Sequence, residues 1–389
     1  MPLVDLRDML EHAHRNRYAV GAFDLVGVDF LEAIMAGAEA CQAPVILSLA
    51  ESHFDDFDFD LVMPAVETAA RRATVPVAIH LDHGHSLGSA VRGINAGCNG
   101  VMVDASAHPF EENVRRTREV VEMAHGCGVA VEGELGYVAG VEGEDAARHP
   151  GEVRYTLPEE AARFIEETGV DCLAVSVGTV HGRMQGEPEL DFERLAAIDA
   201  AAGLPLVIHG GTGLSDDQFR RLIEGGVTKI NYFTALSDAA ARAITAAAEA
   251  GASGYTGLVR EVRPAIQAEV ERCIRLWGGA GQARAVLAEA RPWQPVEHVI
   301  LYNAEAEEAD VAAMMGAGKE VLAPIPGVRE VVAGTAVQEG AGYRYCWLVR
   351  FAHEAVIASY RDHPDHVEFA DSRFRPVAGD RVSIDYRRR

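Results

Sequence analysis

Short runs rich in valine and isoleucine alternate with longer amphipathic segments along residues 1–290. This alternation is typical of parallel strands joined by crossover helices, either in a closed (β/α)8 (TIM) barrel or in a doubly wound sheet. The predicted strands span 19–24, 44–49, 76–81, 100–103, 129–134, 172–177, 205–209 and 227–231. Eight β/α units in about 250 residues match the size of a (β/α)8 barrel.

Polar side chains stand at the end of nearly every predicted strand. They are Asp24, Ser48, Asp82, His83, Asp104, Glu132, Glu134, His181, His209 and Asn231. In a (β/α)8 barrel the carboxyl ends of the strands form one face, on which active sites are built. This distribution favours the barrel over the doubly wound sheet and predicts a site on that face.

Three of these residues are histidines that each stand beside a glycine: His83, His181 and His209. Three neutral imidazoles leave the fourth position of a tetrahedral Zn²⁺ open, which is typical of a catalytic site. The open position can polarise a carbonyl group or generate hydroxide from bound water, and the histidines alone do not decide between the two. We therefore expect one catalytic zinc ion per subunit, although cobalt or iron suits the same ligands.

A glycine-rich segment, 209–215, precedes a helix predicted to begin with a Ser215–Gln218 capping box. Backbone N–H groups of such a turn, together with a helix N-terminus, form a concavity that binds anions. Barrels often hold phosphate between the loops after strands seven and eight. This segment and the following 229–234 therefore predict a phosphate site.

The net charge of −24 argues against nucleic acid or an anionic membrane as a partner. The chain lacks an apolar stretch of the ~20 residues that a membrane span requires, and it begins without a signal peptide pattern. Its six cysteines have no paired spacing, which is typical of reduced thiols. We expect a cytoplasmic protein.

The pattern changes after residue 290. A linker is predicted at 291–296, where prolines flank Trp293. A strand at 297–302, a helix at 304–316, strands at 328–336 and 344–351, a helix from 353 and a strand at 380–386 follow. This β-α-β-β-α-β order predicts a small α+β, ferredoxin-like second domain over 297–389.

Segments of the first domain resemble, in order, the class II, zinc-dependent fructose-bisphosphate and ketose-bisphosphate aldolases. They are YAVGAF (18–23), HLDHG (80–84), VMVDAS (101–106), PFEENV (109–114), EGELG (132–136), GTVHG (178–182), HGGTG (209–213) and TKIN (228–231). The segments 358–366 and 382–386 resemble the stress-responsive dimeric α/β-barrel (Dabb) domain.

The first resemblance implies reversible retro-aldol cleavage of a ketose (bis)phosphate to dihydroxyacetone phosphate and an aldehyde, through a metal-stabilised enediolate. It implies that His83, His181 and His209 bind the zinc, with Asp82 as the acid/base at the cleaved bond. Glu142 would move the proton of the triose fragment, and Asp104 and Glu134 would lie around the metal or form an alternate site. The implied phosphate and hydroxyl ligands are Gly182, Gly211, Thr212, Asn231 and Thr234. The family pattern also allows a monovalent cation near the phosphate.

Several positions depart from the family pattern. They are Asp24, Gly27, Val28, Gln185, Phe233 and Ala235. The implied metal-binding and proton-transfer residues are intact, so we expect retained aldol chemistry, whereas these departures leave open whether the ketose is fructose 1,6-bisphosphate.

Two other functions for the barrel remain open. The pair His83 and His85 also fits the His-x-His motif of metal-dependent barrel hydrolases, and a non-catalytic scaffold could keep the metal. From the second domain we expect a homodimer or higher homo-oligomer, because two such open sheets can pair. Its alternative use is a small-molecule pocket with His298, His363 and His366 as polar groups.

Overall fold

The computed structural model describes residues 2–138, 140, 154–183 and 188–387. Eight parallel strands close into a barrel in chain order, with the first strand paired to both the second and the eighth. The strands are β1 Val20–Asp24, β2 Val45–Ala50, β3 Val77–Gly84, β4 Gly100–Val103, β5 Ala130–Leu135, β6 Cys172–Val175, β7 Leu206–Ile208 and β8 Val227–Tyr232. The predicted TIM barrel is confirmed over the doubly wound sheet.

Helices surround this barrel. They are α1 Leu6–Asn16, α2 Val28–Cys41, α3 Phe59–Arg72, α4 Leu87–Ala96, α5 Phe110–Gly126, α6 Pro158–Thr168, α7 Phe192–Ala202, α8 Asp216–Glu224, α9 Thr234–Glu249, α10 Tyr255–Leu258, α11 Val262–Leu276 and α12 Ala283–Glu289. The predicted capping box of α8 is present, because the Ser215 hydroxyl accepts from the Gln218 N–H while the Gln218 side chain accepts from the Ser215 N–H. Within the described part of the chain, no helix is long and apolar enough to cross a membrane.

The second domain is an antiparallel sheet covered by helices. Its elements are β9 Val296–Ala304, α13 Glu308–Leu322, β10 Val328–Thr335, β11 Tyr345–Phe351, α14 Val356–Arg361, α15 Pro364–Phe369 and β12 Ala378–Arg387. The strand order β10-β11-β9-β12 is that of the predicted ferredoxin-like fold. Helix α13 begins four residues later than predicted, because β9 continues to Ala304, which pairs with Ala378.

The residues predicted as a linker pack closely against both domains. The backbone N–H of Trp293 donates to the Leu3 carbonyl over 2.9 Å. The buried Trp293 ring stacks on His353 with centroids 4.4 Å apart. The Arg291 guanidinium donates to both carboxylate oxygens of Asp8. This segment therefore joins the domains through fixed contacts.

A second set of contacts joins the second domain to α3 and to the end of α4. The Arg329 guanidinium donates to both carboxylate oxygens of Glu67, over 2.6 and 2.8 Å, and to the Ala96 carbonyl over 2.9 Å. The Asn95 side chain accepts from the Gly327 N–H over 2.7 Å. Barrel helices run back from the carboxyl ends of the strands, so the end of α4 lies beside their amino ends. The second domain is thus attached away from the face that carries the polar strand ends.

Replacing Glu67 with glutamine is expected to loosen this attachment. Burial alone would raise the pKa of Glu67, but hydrogen bonds and charge from Arg329, with Arg71, lower it to about 2 from its ordinary 4.5. A carboxyl whose pKa is depressed on folding stabilises the fold above its unfolded pKa, and this contribution is lost as the pH falls from 4.5 towards 2. Allowing for screening, we expect Glu67→Gln to cost about 2 kcal/mol at neutral pH.

Thermal unfolding against pH checks this expectation. The difference between wild type and Glu67→Gln should shrink as the pH is lowered through that window. Glu112→Gln is the control, since Glu112 also pairs with arginines but lies on the exposed side of α5. Equal unfolding midpoints for wild type and Glu67→Gln at pH 7 would contradict the argument.

Candidate active site

Three histidines from separate strands converge at the carboxyl face of the barrel. His83 lies in β3, while His181 and His209 follow β6 and β7. Their ring centroids are 4.6 to 5.6 Å apart, and one nitrogen from each ring lies within 4.8 Å of those of the other two. The three residues predicted as metal ligands therefore meet at one point.

Each imidazole has one nitrogen held by an acceptor and the other directed to this common point. His83 Nδ1 lies 3.2 Å from Asp104 Oδ2, His209 Nε2 lies 2.9 Å from Glu132 Oε1, and His181 Nδ1 lies 3.3 Å from the Val138 carbonyl. The remaining His83 Nε2 and His209 Nδ1 are 2.8 Å apart. His181 Nε2 is buried and has no hydrogen-bond partner among the described residues.

This donor set fits a zinc ion. A metal-binding histidine needs a lone pair on the ligating nitrogen, and an acceptor at the other nitrogen holds the proton there. Burial, with the nearby His83 and His209, lowers the pKa of His181 to about 3, so this imidazole is neutral and able to ligate. Burial opposes protonation of His83, but the charges of Asp82 and Asp104 raise its pKa well above the ordinary 6.5, so His83 releases a proton when a metal binds. Three histidine ligands, with no fourth member of that group among the described residues, form a catalytic type of zinc site.

The backbone at His83 is strained. Its φ is +44°, a left-handed value that is uncommon for a residue with a side chain. The register between β3 and β4 shifts between Leu81 and Gly84, so the strand bulges at this point and redirects the imidazole. Strained backbone of this kind clusters at functional sites. No sequence pattern indicated it.

Asp82 lies beside the histidines as a buried, ionised carboxylate. Burial alone would raise the pKa of Asp82, but the charges of His83, His209 and Lys229 lower it to about 2. Its Oδ2 is 4.0 Å from His83 Nε2, and its buried Oδ1 has no hydrogen-bond partner within the described ranges. An ionised carboxylate with an unpaired oxygen can accept a proton from a bound molecule.

Asp104 and Glu134 form a second group with His83, in which one ligand atom from each residue lies within 4.8 Å of the others. Burial opposes ionisation of Asp104, but hydrogen bonds from His83 and Ser106 hold its pKa well below the usual range. Burial and the charge of Asp104 raise the pKa of Glu134 to about 8. Both residues therefore lie next to His83, one of the three predicted metal ligands.

Two further residues of the centre had no individual role in the sequence analysis, which named Glu132 only as a polar strand end and Lys229 only within the segment 229–234. Glu132 holds His209, and the Lys229 ammonium lies 2.6 Å from Glu132 Oε2. Lys229 is fully buried, and despite burial the charge of Glu132 raises its pKa. The signal was present in the sequence: a lysine within the apolar strand 227–232 must find a partner in the interior.

The loops after β6, β7 and β8 pack together where the phosphate site was predicted. Gly210 has φ +71°, and a Cβ placed on it would lie 2.1 Å from the Val180 carbonyl oxygen. The Thr212 hydroxyl oxygen accepts from the Ala235 N–H over 3.2 Å, which ties the β7 loop to the start of α9. These contacts join the loops on which the predicted anion ligands lie. The set comprises Gly182, Gly211, Thr212, Asn231 and Thr234.

An aromatic pair adjoins the same loops. The buried His53, in a short 3-10 helix after β2, packs on Phe233 with ring centroids 4.4 Å apart, and Phe30 lies on the same Phe233 ring. Burial lowers the pKa of His53, while the charge of Asp82 opposes this shift. His53 was not singled out in the sequence.

Other sequence predictions lie elsewhere or beyond the described ranges. Glu142 and Gln185 are outside the described residues. His85 is exposed and contacts Glu51, with Nδ1 3.2 Å from the carboxylate. Of the described residues, those that group as possible metal ligands do not include His85, which disfavours the His-x-His motif.

The histidines of the second domain have different surroundings. A cavity of about 310 Å³ is lined by His298, Tyr360 and His366, among other residues. His298 Nδ1 lies 2.7 Å from Asp385 Oδ1, and the His366 and Tyr360 rings pack with centroids 4.3 Å apart. His363 instead caps α15, since its side chain accepts from the Asp365 N–H.

Comparisons with known proteins agree with this geometry. Residues 4–282 match the family model "Fructose-bisphosphate aldolase class-II", and residues 296–388 match "Stress responsive A/B Barrel Domain". A probable fructose-bisphosphate aldolase of Bacillus subtilis is 42% identical over 288 residues, covering 73% of this chain and 100% of that protein. A 6-phospho-5-dehydro-2-deoxy-D-gluconate aldolase of Shouchella clausii is 40% identical over 290 residues, covering 73% of this chain and 97% of that protein.

A solved structure supports the same assignment. The crystal structure of the YdjI aldolase from Escherichia coli K12 is similar to this chain at 36% identity with a TM-score of 0.65, covering 72% of this chain and 99% of that one. The chain therefore belongs to the class II fructose-bisphosphate aldolase family and carries a stress-responsive A/B barrel (Dabb) domain after its TIM barrel.

Proposed function

We propose that this protein is a zinc-dependent aldolase that reversibly cleaves a ketose phosphate to dihydroxyacetone phosphate and an aldehyde. The observation that carries the proposal is the convergence of three imidazole nitrogens beside the ionised Asp82. Family membership and the names of the relatives support the aldol reaction. The exposed position of His85 disfavours the hydrolase alternative.

In this proposal Asp82 takes the proton of the C4 hydroxyl when the C3–C4 bond breaks, because its unpaired oxygen is buried and ionised at neutral pH. Zinc held by the three histidines would act as a Lewis acid, stabilising the negative charge that develops on the triose fragment. Glu142 would return a proton to C3. Gly182, Gly211, Thr212, Asn231 and Thr234 would bind the phosphate and hydroxyl groups, with a monovalent cation nearby.

The ketose is left open by the comparisons, since one relative is named for fructose bisphosphate and another for 6-phospho-5-dehydro-2-deoxy-D-gluconate. Phe233 and His53 pack together beside the strand end that carries Asn231. Phe233 is one of the positions that depart from the family pattern, and it packs on His53, whose pKa responds to the charge of Asp82. On this ground we propose a ketose other than fructose 1,6-bisphosphate.

Release of dihydroxyacetone phosphate from a panel of ketose mono- and bisphosphates tests the proposal, with zinc and with chelator. We expect release from one sugar that chelator abolishes and added zinc restores. Folded, zinc-loaded protein that releases none would overturn the aldolase assignment and favour a non-catalytic scaffold. Much faster cleavage of fructose 1,6-bisphosphate than of the other sugars would overturn only the substrate proposal.

We also propose that the protein is a cytoplasmic homodimer. One face of the second domain's sheet, which we call the outer sheet face, carries an apolar patch that the described helices of the domain do not cover, with the ion-paired Glu297, Arg350 and Glu330 at one end. Its residues include Val299, Leu301, Val332, Leu348, Val382 and Ile384. Leu301 and Ile384 are 39% and 43% exposed. A second copy of the same face would bury both patches symmetrically. All six cysteines are free, which supports a reducing compartment.

Replacing Ile384 with lysine is expected to convert the dimer to a monomer, because an unpaired charge would be buried within the paired apolar patches. The solution mass, measured by light scattering, should fall by half. Val367→Lys is the matched control, since Val367 is 41% exposed but lies on α15 and away from the sheet. A wild-type monomer would contradict the proposal, as would an Ile384→Lys dimer.

A further inference from the structure

Lys229 is the one buried ammonium group at the base of the described candidate site. Its Nζ lies 2.6 Å from Glu132 Oε2 and 2.6 Å from Asn231 Oδ1. Lys229 and Asn231 are two residues apart on β8, so both side chains lie on the same side of the strand. The lysine thus touches two groups that adjoin the centre: a carboxylate that holds a histidine and an amide at the predicted substrate site.

The contact with Glu132 determines which nitrogen of His209 carries a proton. An ammonium group only donates hydrogen bonds, so it holds Glu132 as an ionised carboxylate, which only accepts. The other carboxylate oxygen, Oε1, therefore requires a proton on His209 Nε2, 2.9 Å away. The lone pair is then on His209 Nδ1, the nitrogen that faces His83 Nε2. Zinc can bind only that tautomer at this position.

The contact with Asn231 determines the orientation of its amide group. An amide presents an acceptor oxygen on one side and a donor nitrogen on the other, and a donor-only neighbour admits only the oxygen. With Oδ1 on the lysine, Nδ2 faces the other way, and it is buried with no hydrogen-bond partner in the described parts of the chain. The group that Asn231 meets in the site must therefore be an acceptor, such as a carbonyl, enolate or phosphate oxygen.

We propose that Lys229 is a positioning residue that sets the tautomer of His209, through Glu132, and the amide orientation of Asn231. One buried cation thereby prepares both the metal ligand and a substrate-binding donor. The Asn231 half rests on the proposed function, because it requires a substrate oxygen at that amide. The His209 half requires only that the site binds a divalent metal.

The experiment compares Lys229→Met with Lys229→Met/Glu132→Gln in the full-length protein. Zinc affinity is measured by competition with a chelator, and the His209 tautomer by ¹⁵N NMR of histidine-labelled, metal-free protein. Lys229→Met should weaken zinc binding by about 10–100-fold and mix the tautomers. It should also raise the KM for the cleaved ketose phosphate at saturating zinc.

The double variant keeps the test valid if Lys229→Met fails to fold, since it removes both buried charges. The amide oxygen that Glu132→Gln introduces can still accept a hydrogen bond from His209, so zinc affinity should recover towards wild type. The KM should stay raised, because no lysine fixes the orientation of the Asn231 amide. Unchanged zinc affinity and tautomer in folded Lys229→Met would overturn the His209 half. Recovery of KM in the double variant would overturn the Asn231 half.

These readouts separate this inference from the proposed function. If wild-type protein binds zinc but cleaves no ketose phosphate, the proposed function fails while the zinc affinity and the tautomer still decide the His209 half. If wild type cleaves its substrate and Lys229→Met keeps its tautomer, zinc affinity and KM, the inference alone fails. Lys229→Arg retains a donor-only cation, so folded Lys229→Arg should show the His209 tautomer of the wild type, in contrast to Lys229→Met.

Discussion

Asp82→Asn is expected to lower kcat by about 10²–10⁴-fold while zinc content and the unfolding midpoint stay close to wild type. Asparagine has nearly the shape of aspartate, but it cannot accept the proton of the C4 hydroxyl. The carboxylate is already ionised at neutral pH, since its pKa is held at about 2. Steady-state kinetics at saturating zinc, with metal analysis of the same samples, measure the effect.

Asp104→Asn is the informative contrast. Asp104 holds His83 Nδ1 at 3.2 Å and in our proposal transfers no proton itself, so its loss should weaken zinc binding. Excess zinc should therefore restore much of the activity of Asp104→Asn and none of the activity of Asp82→Asn. If excess zinc rescues both variants equally, Asp82 acts on the metal site and is not the base.

Gly210→Ala is expected to destabilise the protein by about 3 kcal/mol or more and to reduce zinc binding. The residue has φ +71°, and an added Cβ would lie 2.1 Å from the Val180 carbonyl oxygen. This carbonyl immediately precedes His181, and Gly210 immediately follows His209. Relief of the clash must therefore shift the backbone next to His181, next to His209, or next to both. Chemical denaturation and chelator competition measure the two effects.

Gly203→Ala separates backbone strain from the clash. Gly203 has a similar φ of +62°, but a Cβ there meets no atom within 4 Å. Alanine in this conformation costs about 1–2 kcal/mol through strain alone. We expect Gly203→Ala to lose that amount and to bind zinc normally. Equal stability and zinc affinity for the two variants would show that the close approach at Gly210 has no consequence.

Features that depend on local periodicity could be predicted from the sequence. The alternation of strands and helices predicts eight barrel strands, and the carboxyl ends of those strands share a face, so polar strand ends such as Asp82, His83 and His209 are expected together. The same reasoning explains why the Ser215–Gln218 capping box was visible, since both partners lie within one helical turn.

Features that depend on contacts across the barrel could not be predicted in this way. The partner of Lys229 is Glu132, which lies three strands earlier in the chain. The sequence alone does not indicate which interior side chains will be in contact. The packing of His53 on Phe233 is likewise a contact between loops distant in sequence. The left-handed backbone of His83 arises from a register shift between neighbouring strands, which requires both strands to be in place.

The attachment of the second domain through Arg329 and Asn95, at the end of α4, has a consequence for how the enzyme can be organised in the cell. The histidine centre opens at the other end of the barrel. The second domain and the histidine centre therefore lie at opposite ends of the barrel. Tethering such a protein to a scaffold or a larger assembly through its C-terminal half would leave substrate access and product escape unobstructed.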